Sequence, residues 1–148
     1  MGTDLSYEDL ERRRIEEFED LRAEAGSLAE PVVVVSARPR HAAAYERVEF
    51  AIAPGDAAIL ETRYYARASA SPYKVIRFPR EHLHEEAGFS VPTRIVVANL
   101  RKGTETEVTV EELRLNPDVD IRLFTTDALL REAKLDGGDA APKTSPEP

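Results

Sequence analysis

The residues of this chain best placed to do chemistry are the two imidazoles of His82-Leu83-His84, flanked by Glu81, Glu85 and Glu86. In an extended segment His82 and His84 share one side, as two nitrogen ligands of a metal would. No third ligand of matching placement follows, and His and Glu in a polar stretch are ordinarily solvated. Acyl transfer needs a nucleophilic serine on a defined turn, but there is no G-x-S-x-G, and Ser69, Ser71 and Ser145 sit in flexible surroundings. The 7 glycines are scattered or gathered in the tail, so no phosphate-cradling loop forms. With 28 Asp and Glu residues, any carboxylate pair could be nominated for glycosidase work, and the pairing carries no information. The zero cysteine count removes disulfides, thiolate zinc sites, iron–sulfur clusters and Cys nucleophiles together. The expectation is a protein with no catalytic residues, no metal and no cofactor.

The elements that would carry any site belong to a chain of 148 residues, 42% hydrophobic and 32% charged, which is enough for one folded domain. The longest apolar run, Pro31 to Val35, is far short of the ~20 residues of a spanning helix. The start, with Asp4, Glu8, Asp9 and Glu11, lacks the basic and apolar regions of a signal peptide. A net charge of −8 argues against a nucleic-acid partner, whose binding surfaces read basic. The charge is uneven: residues 31–80 hold 8 bases against 4 acids, while the flanking segments are acidic. That basic island reads either as solvated strand faces or as an anion-facing surface.

Spacing alone favours a helix over Leu5 to Leu21, with Leu10, Arg14 and Phe18 on one face and Asp4 or Ser6 as cap; Ser6 and Asp9 fit a capping box loosely. From Pro31 onward short β-branched and aromatic runs predict an antiparallel sheet. Val32 to Ser36 reads as a central strand buried on both faces, ended by Arg38-Pro39-Arg40. In Glu46 to Ala53, Val48, Phe50 and Ile52 alternate with Arg47, Glu49 and Ala51, and Pro54-Gly55-Asp56 turns the chain. Ala58 to Arg67 is a mixed strand without a dry face. Tyr73 to Phe78 is a short strand between Pro72 and Pro79, and Arg80 to Gly88 reads as a polar loop. Val91–Leu100 and Thr104–Leu115 around Lys102-Gly103 make a hairpin, with a β-bulge expected near Glu111 or Glu112 where the apolar parity slips. Thr125 or Thr126 would cap a short closing helix through Leu129, Leu130, Arg131 and Lys134. Residues 136–148 are too poor in apolar area to order, so the expected organisation is one domain over 1–135 and a disordered tail. The fold class is mainly β (α+β). Its apolar strand faces are covered either by the chain's own helices and a second layer or partly by a hydrophobic ligand; pattern alone leaves both open.

Three segments carry a family resemblance: GTDLSYEDL (Gly2 to Leu10), VPTRIVVANLRKGTETEV (Val91 to Val108) and RLNPDVDIRLFTTDALLRE (Arg114 to Glu132). In order and spacing they resemble the C-terminal part of the outer-membrane lipoprotein-sorting proteins, the LolA-like superfamily. Arg47 to Tyr65 resembles that family's strand–turn–strand unit, in which the second strand brings an Arg, here Arg63, followed by aromatic residues. Two departures stand out: Ala51 occupies the place of a usual Trp, and Ala66 to Ser71 replaces a Gly-containing turn. The resemblance implies a curved antiparallel sheet forming an incomplete barrel with short N- and C-terminal helices and an apolar cavity on the concave side. It also makes SYEDL a short helix and Ile15 to Ala25 a strand, against the local spacing, and the strand reading is preferred. Since family members begin with a signal peptide and a further half of the sheet, the chain reads as a fragment or a shortened member.

The resemblance implies a non-enzymatic, periplasmic carrier that shields acyl chains. Its partners would be a lipid or an acylated lipoprotein, with a membrane-bound transporter or receptor. Each buried CH₂ contributes about 0.8 kcal/mol, so a few apolar strand faces suffice to hold a lipid reversibly. On alternation the lipid-facing residues are Val48, Phe50, Ile52, Tyr64, Val75, Ile95, Val97, Val108 and Val110. The alternative is a module without a lipid cavity, pairing through an exposed sheet edge with a second copy or another chain.

Overall fold

A computed structural model describes residues 3–10, 14–86, 88–113 and Thr125 of the chain. A short helix α1 (Tyr7–Leu10) and a 3₁₀ turn (Ile15–Glu17) lead into β1 (Phe18–Ser27) and β2 (Pro31–Pro39). Then come β3 (Arg47–Ile52), β4 (Ile59–Tyr65) and β5 (Lys74–Arg77), a second 3₁₀ turn (Arg80–His82), β6 (Leu83–Glu86), β7 (Phe89–Pro92), β8 (Arg94–Asn99) and β9 (Thr104–Thr109). Seven strands form one antiparallel sheet in the order β1-β2-β3-β4-β5-β8-β9, and β6-β7 is a separate hairpin inserted between β5 and β8. The large sheet is not closed, so the fold is the mainly-β incomplete barrel that the resemblance implies.

The single long helix expected from local spacing does not form. Phe18, the apolar residue that suggested a helical face, instead starts β1, pairs with Pro39 and is buried against Phe50, the ring centroids 5.7 Å apart. Cross-strand burial outweighs the weak helical period. At the helix start only half of a capping box is present. The Asp9 carboxylate accepts from the Ser6 N–H (2.7 Å) and Ser6 Oγ–H (2.8 Å), while the Asp9 N–H turns to the Ser6 carbonyl.

The centre of the sheet falls elsewhere than the β-branched run suggested. β2 lies next to the edge strand β1, and Val33 is exposed while Val32 is buried. The central strand is β4, whose charges had masked it: Glu61 is buried because Arg63 Nε (2.6 Å) and Arg77 Nε (3.3 Å) both reach it. Paired charge makes two-sided burial tolerable there. β5 is interior too, with Pro72 and Pro79 just outside it. The polar stretch after Pro79 is not a loop; it makes the second 3₁₀ turn and β6.

The β8–β9 hairpin forms in the expected place, with Asn99 opposite Thr104 and Gly103 at φ 66° donating its N–H to the Asn99 carbonyl. No bulge follows it, because β9 stops at Thr109 and Glu111, Glu112 and Leu113 lie outside the strand. Bulges occur instead between Glu19 and Arg22, with Asp20 at φ 53°, and in β4 where it passes Ala51 and Ile52. The closing helix and the tail proposed beyond Leu113 lie outside the described residues, apart from Thr125.

Candidate functional site: an apolar groove on the helix-bearing face

Register decides which side chains share a face. Val48, Tyr64, Lys74 and Asn99 are successive cross-strand partners, and so, one rung further, are Phe50, Thr62, Ile76 and Val97. Both rungs project to the same side. The buried residues Phe18, Ala37, Tyr45, Val48, Tyr64, Ile76 and Val97 pack there as one core, with Leu5, Phe50, Tyr73, Phe78 and Ile95 around them. A second cluster of Val32, Ala51, Ala53, Ala58 and Leu60 gathers at the end of the β3–β4 turn. Ala51, in the place of the usual Trp, is 4% exposed within that cluster.

On the first face a groove of about 430 Å³ opens between Asp9 and the β3–β4 turn. Phe50, Thr62, Tyr64, Ile76 and Phe78 form its floor, and Leu83, Gly88, Ser90 and Pro92 of the β6–β7 hairpin and Asp56 to Ile59 of the turn complete its walls. Its size falls in the range of about 300–1,000 Å³ usual for small-ligand sites.

The N-terminal segment is fastened to this face at two points. Asp4 exchanges hydrogen bonds with Thr106 (3.1 and 3.3 Å) and accepts one from Asn99 Nδ2 (3.3 Å). Asp9 pairs with Lys74 Nζ, and both side chains are buried, 3% and 11% exposed. The Lys74 ammonium lies 5.7 Å from the centroid of the Tyr64 ring. At the other end of the groove Asp56 accepts from the Ala58 N–H (3.2 Å) and from Arg80 Nη1 (2.7 Å). The Ala58 hydrogen bond and the Arg80 charge hold its carboxyl below the ordinary range, outweighing partial desolvation.

The opposite face is a ladder of charges. Arg47 pairs with Glu49 and stacks 3.6 Å from the centroid of the Tyr65 ring, and Glu49 accepts the Tyr65 hydroxyl (2.6 Å). Glu61 bridges Arg63 and Arg77. Burial pulls the Arg63 guanidinium down, but the Glu61 hydrogen bond and charge outweigh it and leave it above its ordinary value. With Arg40 on Glu19, Lys74 on Asp9 and Arg80 on Asp56, most of the basic island has an acidic partner within the fold.

Of the nine residues expected to face a lipid, Phe50 and Tyr64 line the groove. Val48 and Val97 lie on the same face but are 0% exposed, beneath its surface. Ile95 packs at the margin of that core, paired with Val108, which is half-buried. Ile52 is half-buried at the end of β3, and Val110 lies beyond β9, its N–H on the Thr93 carbonyl. Val75 is the correction: it pairs with Arg63 and Ala98, which puts it on the charged face, and Ile76 takes the place alternation had assigned to it. Thr62, Phe78 and Leu83 of the groove, Asp9 at its end and Lys74 behind Asp9 carry no signal in apolar alternation. The one local signal is Lys74 itself, a cation directly before the apolar pair Val75-Ile76. His82 and His84 fall in the second 3₁₀ turn and in β6, and among the described residues no group of three metal-ligating side chains converges.

A family model described as "-like: Uncharacterized protein" matches residues 1–131. No curated protein matches the chain in sequence. Among solved structures it is similar to a domain from Vibrio parahaemolyticus assigned to outer membrane lipoprotein sorting, at a TM-score of 0.75 and 19% identity, covering 87% of this chain and 55% of that one. A DUF1329 family protein from Desulfovibrio piger aligns at a TM-score of 0.73 and 21% identity, covering 85% and 53%. A LolA superfamily protein from Nitrosomonas europaea aligns at 0.66 and 16% identity, covering 86% and 58%. The chain thus spans a little over half the length of each of these structures.

Proposed function

The chain belongs to the family whose model spans residues 1–131 and has the LolA-like fold, and from that premise we propose that it is a non-enzymatic carrier that shields an acyl chain in the groove over Phe50, Thr62 and Ile76. The observation that carries this reading is the groove itself, with the apolar side chains of Phe50, Ile76 and Phe78 on its floor and its place on the sheet face that the N-terminal segment partly covers. Shielding needs only removal of apolar area from water, at about 25 cal/mol per Å². The cargo is a lipid or an acylated lipoprotein, and the compartment is the periplasm. Support for both comes from the likeness in fold to the Vibrio domain named for outer membrane lipoprotein sorting. Native mass spectrometry of the purified chain followed by organic extraction tests it. Co-purified fatty acid or phospholipid is the expected result, and a chain that neither retains lipid nor displaces a fluorescent fatty acid overturns it.

A second reading rests on β1. Among the described residues it is an edge strand of ten residues, exposed along nearly all its length, with Leu21 45% exposed. Unpaired N–H and C=O groups there are a template for another strand, and the related structures extend well beyond the part that this chain matches. A dimer by light scattering that Ala23→Pro abolishes would favour edge pairing over the carrier reading.

A further inference from the structure

Lys74 is the most deeply buried cation among the described residues, 9% exposed, on a rung otherwise formed by Val48, Tyr64 and Asn99. A cation in such a place is stable only against an anion. That anion is Asp9, which belongs not to the sheet but to the four-residue helix α1, and which also forms one end of the groove. The sheet therefore holds a fixed positive charge directly behind Asp9 at the groove's end, while the negative charge satisfying it sits on a separate, short element.

We propose that Lys74 is the headgroup anchor of the groove, and that its ligand is a single-chain amphiphile with a carboxylate, which takes the place of the Asp9 carboxylate on Nζ while the alkyl chain lies over Thr62 and Ile76. This rests on the acyl-carrier reading and adds the headgroup class to it. The exchange replaces one carboxylate by another on the same ammonium, so the charge balance of the buried site is unchanged and no buried cation is left bare. A neutral head cannot do this. The geometry suits the chain as well: from Tyr64, beside Lys74, to Ile59 at the far wall is five residues of β4, about 16 Å at 3.3 Å per residue. Asp9 can move without unpairing a strand, since the segment keeps its second attachment at Asp4 and the packing of Leu5.

The test compares dodecanoic acid with dodecanol by displacement of a fluorescent fatty acid and by thermal shift. In the wild-type chain the acid gives up the Asp9–Lys74 pair to make its own, so its advantage over the alcohol is small. Asp9→Asn removes the internal competitor and leaves Lys74 unpaired, so this variant is expected to bind the acid about tenfold more tightly than the alcohol, the size of a charge-assisted hydrogen bond, and to be stabilised by the acid more than the wild type is. Because Lys74→Met alone would strand Asp9 in a buried position, the double variant Asp9→Asn, Lys74→Met is used. It loses both charges together, so no buried charge is left unpaired, and it is expected to fold and to bind acid and alcohol alike. Equal binding of the two by Asp9→Asn, or a preference that survives in the double variant, overturns the anchor while leaving the carrier reading intact. Binding of neither compound overturns both.

Discussion

The Tyr65 hydroxyl donates to Glu49 Oε2 at 2.6 Å across the β3–β4 pair, with the Arg47 guanidinium stacked on the same ring. Burial disfavours the phenolate, and Glu49 both accepts the hydroxyl's hydrogen bond and repels the anion, so Tyr65 titrates above its ordinary value. A group whose folded value is raised contributes stability that is complete below its unfolded value, about 10 for Tyr. That contribution is lost as pH rises through the folded value. Glu49→Gln is expected to bring the Tyr65 transition down in an ultraviolet absorbance titration and to flatten the alkaline loss of stability. An unchanged transition in a folded variant would show that Glu49 does not set it.

Gly26 has no room for a side chain. A Cβ there would meet Val34 Cγ2 at 2.6 Å, and Val34 is β-branched and stiff at χ1. Gly26→Ala should cost about 1–2 kcal/mol in urea unfolding, the usual scale of overpacking. Adding Val34→Ala should return part of it, and strict additivity of the two losses would contradict the contact.

Ala68 adopts φ 54° in the turn after β4. This is the turn in which the resembling family carries a glycine, so the left-handed conformation is present and the residue that favours it is absent. Ala68→Gly relieves the Cβ strain but adds unfolded-state entropy, for a net gain of about 0.5 kcal/mol, visible as a raised thermal midpoint. A lowered midpoint would mean that the turn is not strained.

Val97 and Phe78 separate folding from binding. Val97 is 0% exposed in the core, so Val97→Asp should unfold the chain rather than empty the groove. Phe78 is half-buried on the groove floor, and its backbone N–H bonds the Leu60 carbonyl. Phe78→Glu should keep the far-ultraviolet circular dichroism of the wild type while weakening fatty-acid displacement about tenfold or more. Undiminished binding in a folded Phe78→Glu would exclude the groove as the acyl site.

The residues that could be read ahead of the structure were those whose signal is local. The turn at Pro54-Gly55-Asp56, the hairpin around Gly103 and the alternation of Val48, Phe50 and Ile52 depend on φ preferences and a two-residue period, which neighbouring residues set. The first strand was harder, because Leu10, Arg14 and Phe18 also fit a helix. Local spacing left the two open and the family resemblance favoured the strand, which the pairing of β1 with β2 and the burial of Phe18 against Phe50 show.

By itself the sequence determined a mainly antiparallel body, its turns, and a chain without cysteine. Tertiary structure decided which strand is central, which face Val75 and Ile76 present, and where the charges go. The reason is physical: an ion pair such as Asp9–Lys74 joins residues 65 apart in the chain, and the burial of Glu61 depends on Arg77 of the neighbouring strand as well as on Arg63 of its own. Those energies come from proximity in space, which no local period encodes.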